Sequence, residues 1–288
     1  MIILDLSQVL LSNIAVQTRG DNALSEDMVR HMVLATIRMN NMKFKNTYGE
    51  FVIATDSRAG YWRKDFFPFY KANRKKTAES KINWPMVYAC MDKIREELKE
   101  RFPYRLIDVK GAEGDDVIGT LVQHYGDDPD GLATGKPILI LSGDHDFGQL
   151  QQYPNVSQYD PVHKNYRQEA NPQAYLLEQI IRGDKGDGVP NILSPDDTLV
   201  LGKRQTVMTQ KRVDEILSKA PGFAGAPDLA RNWARNETLI DLTKTPKNVA
   251  DEIVDSFDSQ HGKKSKDLMG YFMQHRLRQH MGNLNDFC

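Results

Sequence analysis

The chain has few cysteines and no long apolar run. Two cysteines, Cys90 and Cys288, occur in 288 residues, too few for a disulfide framework or a zinc site. No run of about 18 apolar residues is present, so we expect no membrane span. The opening residues, MIILDLSQVL, lack the basic start and the cleavage site of a secretory signal. Since no internal repeat or low-complexity tract is visible, the sequence predicts a globular protein of the cytoplasm.

Short apolar runs that lead to aspartate are the most informative feature of the sequence. The runs IIL, FVIA and ILIL are each followed, within three residues, by an acid: Asp5, Asp56 and Asp144. Wholly apolar runs of this length are typical of parallel strands that are buried on both faces. Because ligand groups in such sheets collect beyond the carboxyl ends of the strands, we expect these carboxylates to lie together.

Six further acids extend this pattern. They follow Asp144, begin a helical pattern or bracket a glycine-rich turn, and they are Asp146, Glu113, Asp115, Asp116, Asp184 and Asp187. Ionised carboxylates gathered in one place repel one another unless cations lie among them. Carboxylate oxygens suit hard divalent cations, above all magnesium. The sequence therefore predicts an acidic crater that holds magnesium, and such sites usually transfer phosphoryl groups.

A basic and aromatic segment follows Asp56 almost directly. Residues 58–76 contain seven basic residues, one acid and six aromatics. Basic side chains attract phosphates, and aromatic faces accept unpaired bases. A buried aromatic strip with a solvated charged face is the alternative, but the position beside Asp56 favours nucleic-acid binding. The basic side chains that we expect to contact nucleic acid here include Arg63, Lys64 and Lys75.

The overall charge agrees with this expectation. The nine acids account for −9 of a formal net charge of −1, so the rest of the chain carries +8. Local patches decide nucleic-acid binding more than net charge does.

A glycine-rich turn lies between two helical patterns. Its sequence, Gly183-Asp184-Lys185-Gly186-Asp187-Gly188, can bring backbone amides and Lys185 close to a phosphate, as in a helix–turn–helix clamp on a duplex. Such a turn is often only a turn, but the other acid clusters favour a functional role. Lys203 and Arg204 would extend this phosphate-binding face, although a solvated helix surface is an equal alternative there.

Strand and helix patterns alternate over the first two-thirds of the chain. Strands are predicted at 2–5, 51–56, 104–108 and 137–141, and helices at about 25–42, 83–101 and 113–124. Further helices are predicted near 172–183, 206–219, 226–238, 246–257 and 264–281. We therefore predict an α/β core with a mainly parallel sheet in residues 1–171, and a helical lobe with a duplex-binding clamp in residues 172–288.

Taken together, the motifs resemble those of the structure-specific 5′-nucleases of the flap endonuclease superfamily, and most closely its bacteriophage ribonuclease H branch. The matching stretches are LDLSQ, ATDSRAGYWRKDFFPFYKANR, GAEGDDVIG, ILSGDHDFGQL and IIRGDKGDGV. The resemblance implies a PIN-like 5′-nuclease core with residues 58–83 as an arch over the crater. It also implies a 5′→3′ nuclease that removes RNA primers and 5′ flaps during DNA replication.

The resemblance further implies roles for individual residues. Two magnesium ions, for which manganese can substitute, would be held by Asp5, Asp56, Glu113, Asp115 and Asp144 at one site and by Asp146, Asp184 and Asp187 at the other, with Asp116 supporting either. Lys71 and Arg74 would act on the scissile phosphate, and Tyr70 would stack on a base. Gly188 is a departure, because cellular members have asparagine there and continue into a glycine-rich hairpin.

The expected partners are DNA and RNA–DNA hybrids with free 5′ ends, including flap and fork DNA. Replication proteins, such as a single-strand-binding protein or a sliding clamp, are expected as partners of a monomer in the host cytoplasm. Two other functions fit parts of the sequence. A PIN-type single-strand ribonuclease is usually a much shorter chain without a helical lobe, and a catalytically silent DNA-binding scaffold would have lost some of the acids, whereas none is missing.

Overall fold

The structure is a computed structural model that describes residues 1–17, 25–72, 83–126, 135–218, 223 and 225–287. Six strands form one sheet: β1 (Ile2–Asp5), β2 (Phe51–Ala54), β3 (Arg105–Ile107), β4 (Ile138–Leu141), β5 (Val156–Asp160) and β6 (Asn165–Arg167). Their order across the sheet is β3-β2-β1-β4-β5-β6. The pairings from β3 to β5 are parallel, and only β6 is antiparallel to its neighbour.

The direction of the chain across the sheet reverses between β1 and β4. Strands β2 and β3 are added on one side of β1, whereas β4 and β5 are added on the other side. A crevice opens outside the carboxyl ends of the strands at such a switch point, and ligands bind there in α/β proteins. All residues of β1, β2 and β4 are buried, which confirms the prediction from their apolar runs.

Eleven helices are described. They are α1 (Leu6–Gln17), α2 (Glu26–Tyr48), α3 (Trp62–Phe66), α4 (Trp84–Arg101), α5 (Gly114–Tyr125), α6 (Pro172–Arg182), α7 (Gln210–Leu217), α8 (Pro227–Ile240), α9 (Lys247–Ser259), α10 (Leu268–Gln274) and α11 (Arg278–Met281). None of these helices is both long enough and apolar enough to cross a membrane.

The sequence patterns did not predict α1, α3, β5 or β6. The helix predicted at 264–281 is also wrong in its extent, because the structure has two short helices there, α10 and α11. Arg276 lies between them with a φ of 54°, a left-handed conformation that a continuous α-helix does not contain.

Two apolar cores lie on opposite faces of the sheet. One contains Leu34 and Phe102 together with the C-terminal residues Phe272 and Phe287. The other contains Ile118 of α5 and residues of α9, including Phe257. The C-terminal residues beyond 242 therefore complete the cores of the predicted catalytic domain, while the domain boundary at 171/172 stays a prediction.

A third core joins α6, α7 and α8. It contains Ile181, Ile192, Val213 and Trp233. The segment between α6 and α7 is closed by side-chain bonds to the backbone: the Asn191 amide donates to the Thr206 carbonyl at 2.8 Å, and the Thr206 N–H donates to the Ser194 hydroxyl at 2.9 Å. This unit is therefore a helix–loop–helix, and the turn directly after α6, at residues 183–188, lies at the carboxyl edge of the sheet.

We predict that the C-terminal helices are essential to the stability of the core. Phe272 is fully buried and packs against Phe102 and Phe287, so Phe272→Ala should lower the free energy of unfolding by about 3–5 kcal/mol. Met273, its neighbour, is 62% exposed, and Met273→Ala should change that free energy by less than about 0.5 kcal/mol. Urea unfolding measures both. Equal, small effects would show that α10 does not belong to the core.

Candidate active site

A cavity of about 620 Å³ opens at the carboxyl edge of the sheet, at the switch point between β1 and β4. Seven of the nine predicted acids line it: Asp5, Asp56, Asp115, Asp144, Asp146, Asp184 and Asp187. Lys71, Lys185 and Gln179 are also part of its wall. The structure thus brings the acids from five separate chain segments into one place, although Glu113 and Asp116 do not line the cavity.

Asp5 and Asp144 are positioned by the ends of β1 and β4. The Ser142 hydroxyl donates to Asp5 Oδ2 at 3.1 Å and accepts the Asp144 N–H at 3.1 Å. The Gln8 N–H, in the first turn of α1, donates to Asp5 Oδ1 at 3.0 Å. Because α1 begins directly after β1, the last carboxylate of the strand also caps the first turn of the helix.

Asp56 and Asp115 meet at the start of α5. The Gly114 N–H donates to Asp56 Oδ1 at 2.8 Å, which ties the end of β2 to the first turn of this helix. Asp115 lies in the same turn, where the unpaired N–H groups and the helix dipole favour negative charge.

Asp184 and Asp187 are held by the glycine-rich turn after α6. Asp184 Oδ1 accepts the N–H groups of Gly186 at 2.7 Å and Asp187 at 3.2 Å. Gly183 has a φ of 68°, and a Cβ there would overlap the carbonyl oxygen of Val189. Only glycine therefore fits where α6 turns towards the cavity.

The cavity carries more negative charge than its burial can accommodate. Burial raises the pKa of Asp5 to about 7, and the charges of Asp56 and Asp144 add to the rise. Burial likewise raises the pKa of Asp146 to about 7, together with Asp144, Asp184 and Asp187. The pKa of Asp115 lies well above its ordinary value for the same reasons. A bound cation would favour the ionised form of every one of these groups.

The donors around the cavity suit a hard cation. They are carboxylate oxygens, whereas cysteine is absent from the lining, and magnesium prefers such oxygens together with several retained waters. Among the described residues, no group of three or more His, Cys, Asp or Glu side chains is arranged so that it could hold a metal ion.

Glu113 and Asp116 do not line the cavity, and their role as metal ligands stays a prediction. Both are buried, with 2% and 0% exposure, and both contact the guanidinium of Arg63, at 3.1 Å and 2.8 Å. Asp116 also accepts the N–H of Glu113 and the hydroxyl of Thr245. Their charges are therefore balanced inside the protein and support the first turn of α5.

Arg63 is a structural residue, contrary to the prediction that it contacts nucleic acid. It is 1% exposed, and its Nε donates to the carbonyl of Leu239 at 2.9 Å. Although burial opposes its charge, Asp116 and Glu113 hold the pKa of Arg63 above its ordinary value. The side chain thus joins α3, α5 and α8.

Tyr70 is also buried, which contradicts the prediction that its ring stacks on a base. It is 3% exposed and packs with Phe67, Val189, Leu239 and Ile240. Its hydroxyl lies 2.7 Å from Asp187 Oδ2 and 3.0 Å from Glu113 Oε2. This part of the basic and aromatic segment therefore packs in the interior of the protein.

Lys71 lies in the cavity wall between two acids. Its Nζ contacts Glu113 Oε1 and lies 3.4 Å from Asp187 Oδ2, and its N–H donates to the Asp187 carbonyl at 2.7 Å. Its φ of 56° is left-handed, so a specific set of contacts holds an unfavourable backbone conformation there.

The other predicted nucleic-acid contacts lie on the surface or outside the described residues. Lys64, Lys185, Lys203 and Arg204 are exposed, and Lys203 lies 3.5 Å from Asp197. Arg74 and Lys75 fall outside the described residues, so their predicted roles stay predictions. Sequence patterns missed Gln8, Ser142 and Gln179, which bond to the predicted acids, because single polar residues carry no periodic signal.

A carboxylate-lined cavity at the switch point of a parallel sheet, with a lysine in its wall, is suited to phosphoryl-transfer chemistry. The family model described as 5′-3′ exonuclease, N-terminal resolvase-like domain, matches residues 14–179. A second model, described as T4 RNase H, C terminal, matches residues 171–287. The chain therefore belongs to the 5′-3′ exonuclease family, which confirms the resemblance found in its motifs.

Individual relatives agree with this assignment. Ribonuclease H of Enterobacteria phage T4 is 32% identical over 296 residues, a match that covers 99% of this chain and 95% of the phage protein. Flap endonuclease Xni of Shewanella sp. (strain MR-4) is 31% identical over 139 residues, 46% of this chain and 48% of that protein.

Solved structures show the same fold. The flap endonuclease of bacteriophage T5, in a pseudo-enzyme-product complex with DNA and metal ions, matches with a TM-score of 0.62. The match covers 90% of this chain and 98% of that chain at 15% identity.

We predict that Arg63 serves stability and not nucleic-acid binding. Arg63→Met leaves two buried carboxylates without their shared cation and should lower the free energy of unfolding by about 3–5 kcal/mol. Lys64→Met, at the exposed neighbouring position, should change it by less than about 0.5 kcal/mol. Denaturant unfolding of both variants measures the difference. Wild-type stability of Arg63→Met would contradict the assignment.

Proposed function

We propose that the chain is a magnesium-dependent 5′→3′ nuclease that hydrolyses phosphodiesters in 5′ flaps and in the RNA primers of RNA–DNA hybrids during DNA replication. The observation that carries this proposal is the convergence of seven acids on one cavity. The names of the relatives support the substrate classes, because they include a ribonuclease H and a flap endonuclease.

The carboxylates divide into two groups that would hold two cations. Asp5, Asp56, Asp115 and Asp144 come from the ends of β1, β2 and β4 and the start of α5, whereas Asp146, Asp184 and Asp187 lie towards α6. Bound magnesium would supply an activated water and stabilise the leaving oxygen of an in-line displacement. The residues themselves orient these groups, since backbone N–H groups fix one oxygen of Asp5, Asp56 and Asp184.

Lys71 would attract the scissile phosphate to this cavity. Its ammonium already lies at the wall beside Asp187. There its positive charge offsets the negative charge of the acids, and the ammonium can donate to a phosphate oxygen. Exposed Lys185, Lys203 and Arg204 would contact the backbone of the duplex farther away.

The remaining expectations extend this proposal. The chain would act as a monomer in the host cytoplasm, with replication proteins such as a single-strand-binding protein or a sliding clamp as partners. A catalytically silent scaffold is disfavoured because every acid of the predicted set is present. A PIN-type single-strand ribonuclease is disfavoured because both family models together cover residues 14–287.

Digestion of labelled substrates tests the function. We expect the protein to release short products from a 5′-labelled DNA flap and from the RNA strand of an RNA–DNA hybrid, in the presence of magnesium and not of a chelator. Asp144→Asn should abolish cleavage because it removes a carboxylate from the cavity, while Asn can still accept the Asp146 N–H that Asp144 Oδ1 accepts at 3.0 Å. Substrate binding should persist, since less negative charge repels the phosphates.

The outcomes of this experiment are distinct. Cleavage by Asp144→Asn at the wild-type rate would refute the role of the cavity. Absence of cleavage by the wild-type protein on both substrates would refute the proposed function.

We predict that Lys71 serves catalysis, whereas Lys203 and Arg204 serve duplex binding. Lys71→Ala should lower the single-turnover rate by about 10²-fold, because a charged donor beside the reacting phosphate is lost, with little change in Kd. The double variant Lys203→Ala/Arg204→Ala should instead weaken binding and flatten its salt dependence by roughly one unit of slope per lost phosphate contact.

Rates and dissociation constants over a salt series test this separation. If both variants lose affinity equally and keep full single-turnover rates, Lys71 is only part of a basic patch.

A further inference from the structure

Gln179 of α6 is aimed at the cavity from the opposite side to the strands. It lies on one face of the helix with Tyr175 and Gly183, four residues before and after it. Its Nε2 donates to Asp146 Oδ1 at 2.6 Å and to the hydroxyl of Tyr175 at 3.1 Å. That hydroxyl in turn donates to the carbonyl of His145 at 3.1 Å. Two side chains of α6 therefore hydrogen-bond to consecutive residues, His145 and Asp146.

The other half of the same amide has no partner. Gln179 Oε1 is inaccessible to solvent and has no hydrogen-bond partner among the described residues. A buried carbonyl oxygen without a donor costs about 1–3 kcal/mol, so such an atom in an otherwise well-bonded site needs a reason. The Gln179 side chain lines the cavity, and the reason that the structure offers is the bond from the other amide atom, Nε2, to Asp146.

The orientation of this amide follows from charge. Rotation of the amide by 180° would place Oε1 against Asp146 Oδ1, and two acceptors would then face each other at 2.6 Å. The carboxylate therefore selects the Nε2 side and fixes Oε1 on the other side. The bond from Nε2 to Oδ1 therefore fixes the direction in which the Asp146 carboxylate faces.

We propose that Gln179 is a positioning residue for the cation held by Asp146, Asp184 and Asp187. Its Nε2 fixes the rotamer of Asp146 through the hydrogen bond to Oδ1. This inference rests on the proposed function and assigns a role to a residue that is not itself an acid. Partners outside the ligand set orient the ligands that they contact.

A purely structural role for Gln179 predicts a different outcome. If the side chain only packs between α6 and the cavity, its truncation should lower stability without changing cation affinity. If Gln179 positions the site, its removal should weaken the binding of one cation. The stability of the folded protein without cations should then stay unchanged. Gln179→Leu keeps the volume of the side chain and removes both polar atoms, whereas Gln179→Ala removes the volume as well.

Titration with manganese chloride, in the absence of nucleic acid, distinguishes the two. Isothermal calorimetry at pH 8 favours the ionised forms of Asp5 and Asp146, because this pH lies above their pKa of about 7. We expect two binding events in the wild type, and in both Gln179 variants we expect one of them to be about 10–100-fold weaker and the other unchanged. Thermal unfolding without cations should show that Gln179→Leu stays folded.

Gln123→Leu is the matched control. Gln123 also lies on a helix and is partly buried, but its amide donates to the carbonyls of Gly119 and Leu242, outside the cavity. This variant should keep both affinities. Two unchanged affinities in the Gln179 variants would overturn the inference alone, whereas a single binding event in the wild type would overturn the two-cation arrangement and the inference with it.

Discussion

Mutual repulsion among carboxylates is the constraint around which the catalytic half of the molecule is organised. Seven acids line one cavity, and the raised pKa values of Asp5, Asp115 and Asp146 show that burial and neighbouring charges both oppose their ionisation. The fold meets this constraint by supplying N–H donors and hydroxyls from the chain itself. Ser142 is an example, because one hydroxyl connects Asp5 to the backbone of Asp144.

A second layer of charge lies behind the first. Arg63 is buried between Glu113 and Asp116 and bonds to the carbonyl of Leu239. Buried ion pairs contribute little net stability compared with apolar residues of similar size, but the loss of one partner is costly. The positions of α3 and α8 therefore depend, through Arg63, on the acids at the start of α5. The C-terminal part of the chain is thus coupled to the catalytic edge of the sheet.

The strands and the acids that follow them could be predicted from the sequence, because a buried parallel strand needs a wholly apolar run and Asp5, Asp56 and Asp144 each follow one. Burial of charged and aromatic side chains could not be predicted in the same way. Arg63 and Tyr70 lie in a segment whose composition is typical of a nucleic-acid-binding surface, yet both are buried because acids and apolar residues from α5, α8 and the turn at 183–188 meet them. These partners are more than 40 residues away in the chain, and no local pattern connects them.

The same contacts define where the predicted arch begins. Phe67 and Tyr70 pack against Val189, Leu239 and Ile240, so the residues just before Lys71 are anchored to the turn that carries Asp184 and Asp187. The Lys71 N–H then bonds to the Asp187 carbonyl in a left-handed conformation. Backbone and side-chain bonds therefore fix the Lys71 ammonium, which would contact the phosphate, relative to the carboxylates, which would hold a cation. The position of Lys71 relative to Asp187 is therefore set by contacts that both residues make within the described part of the chain.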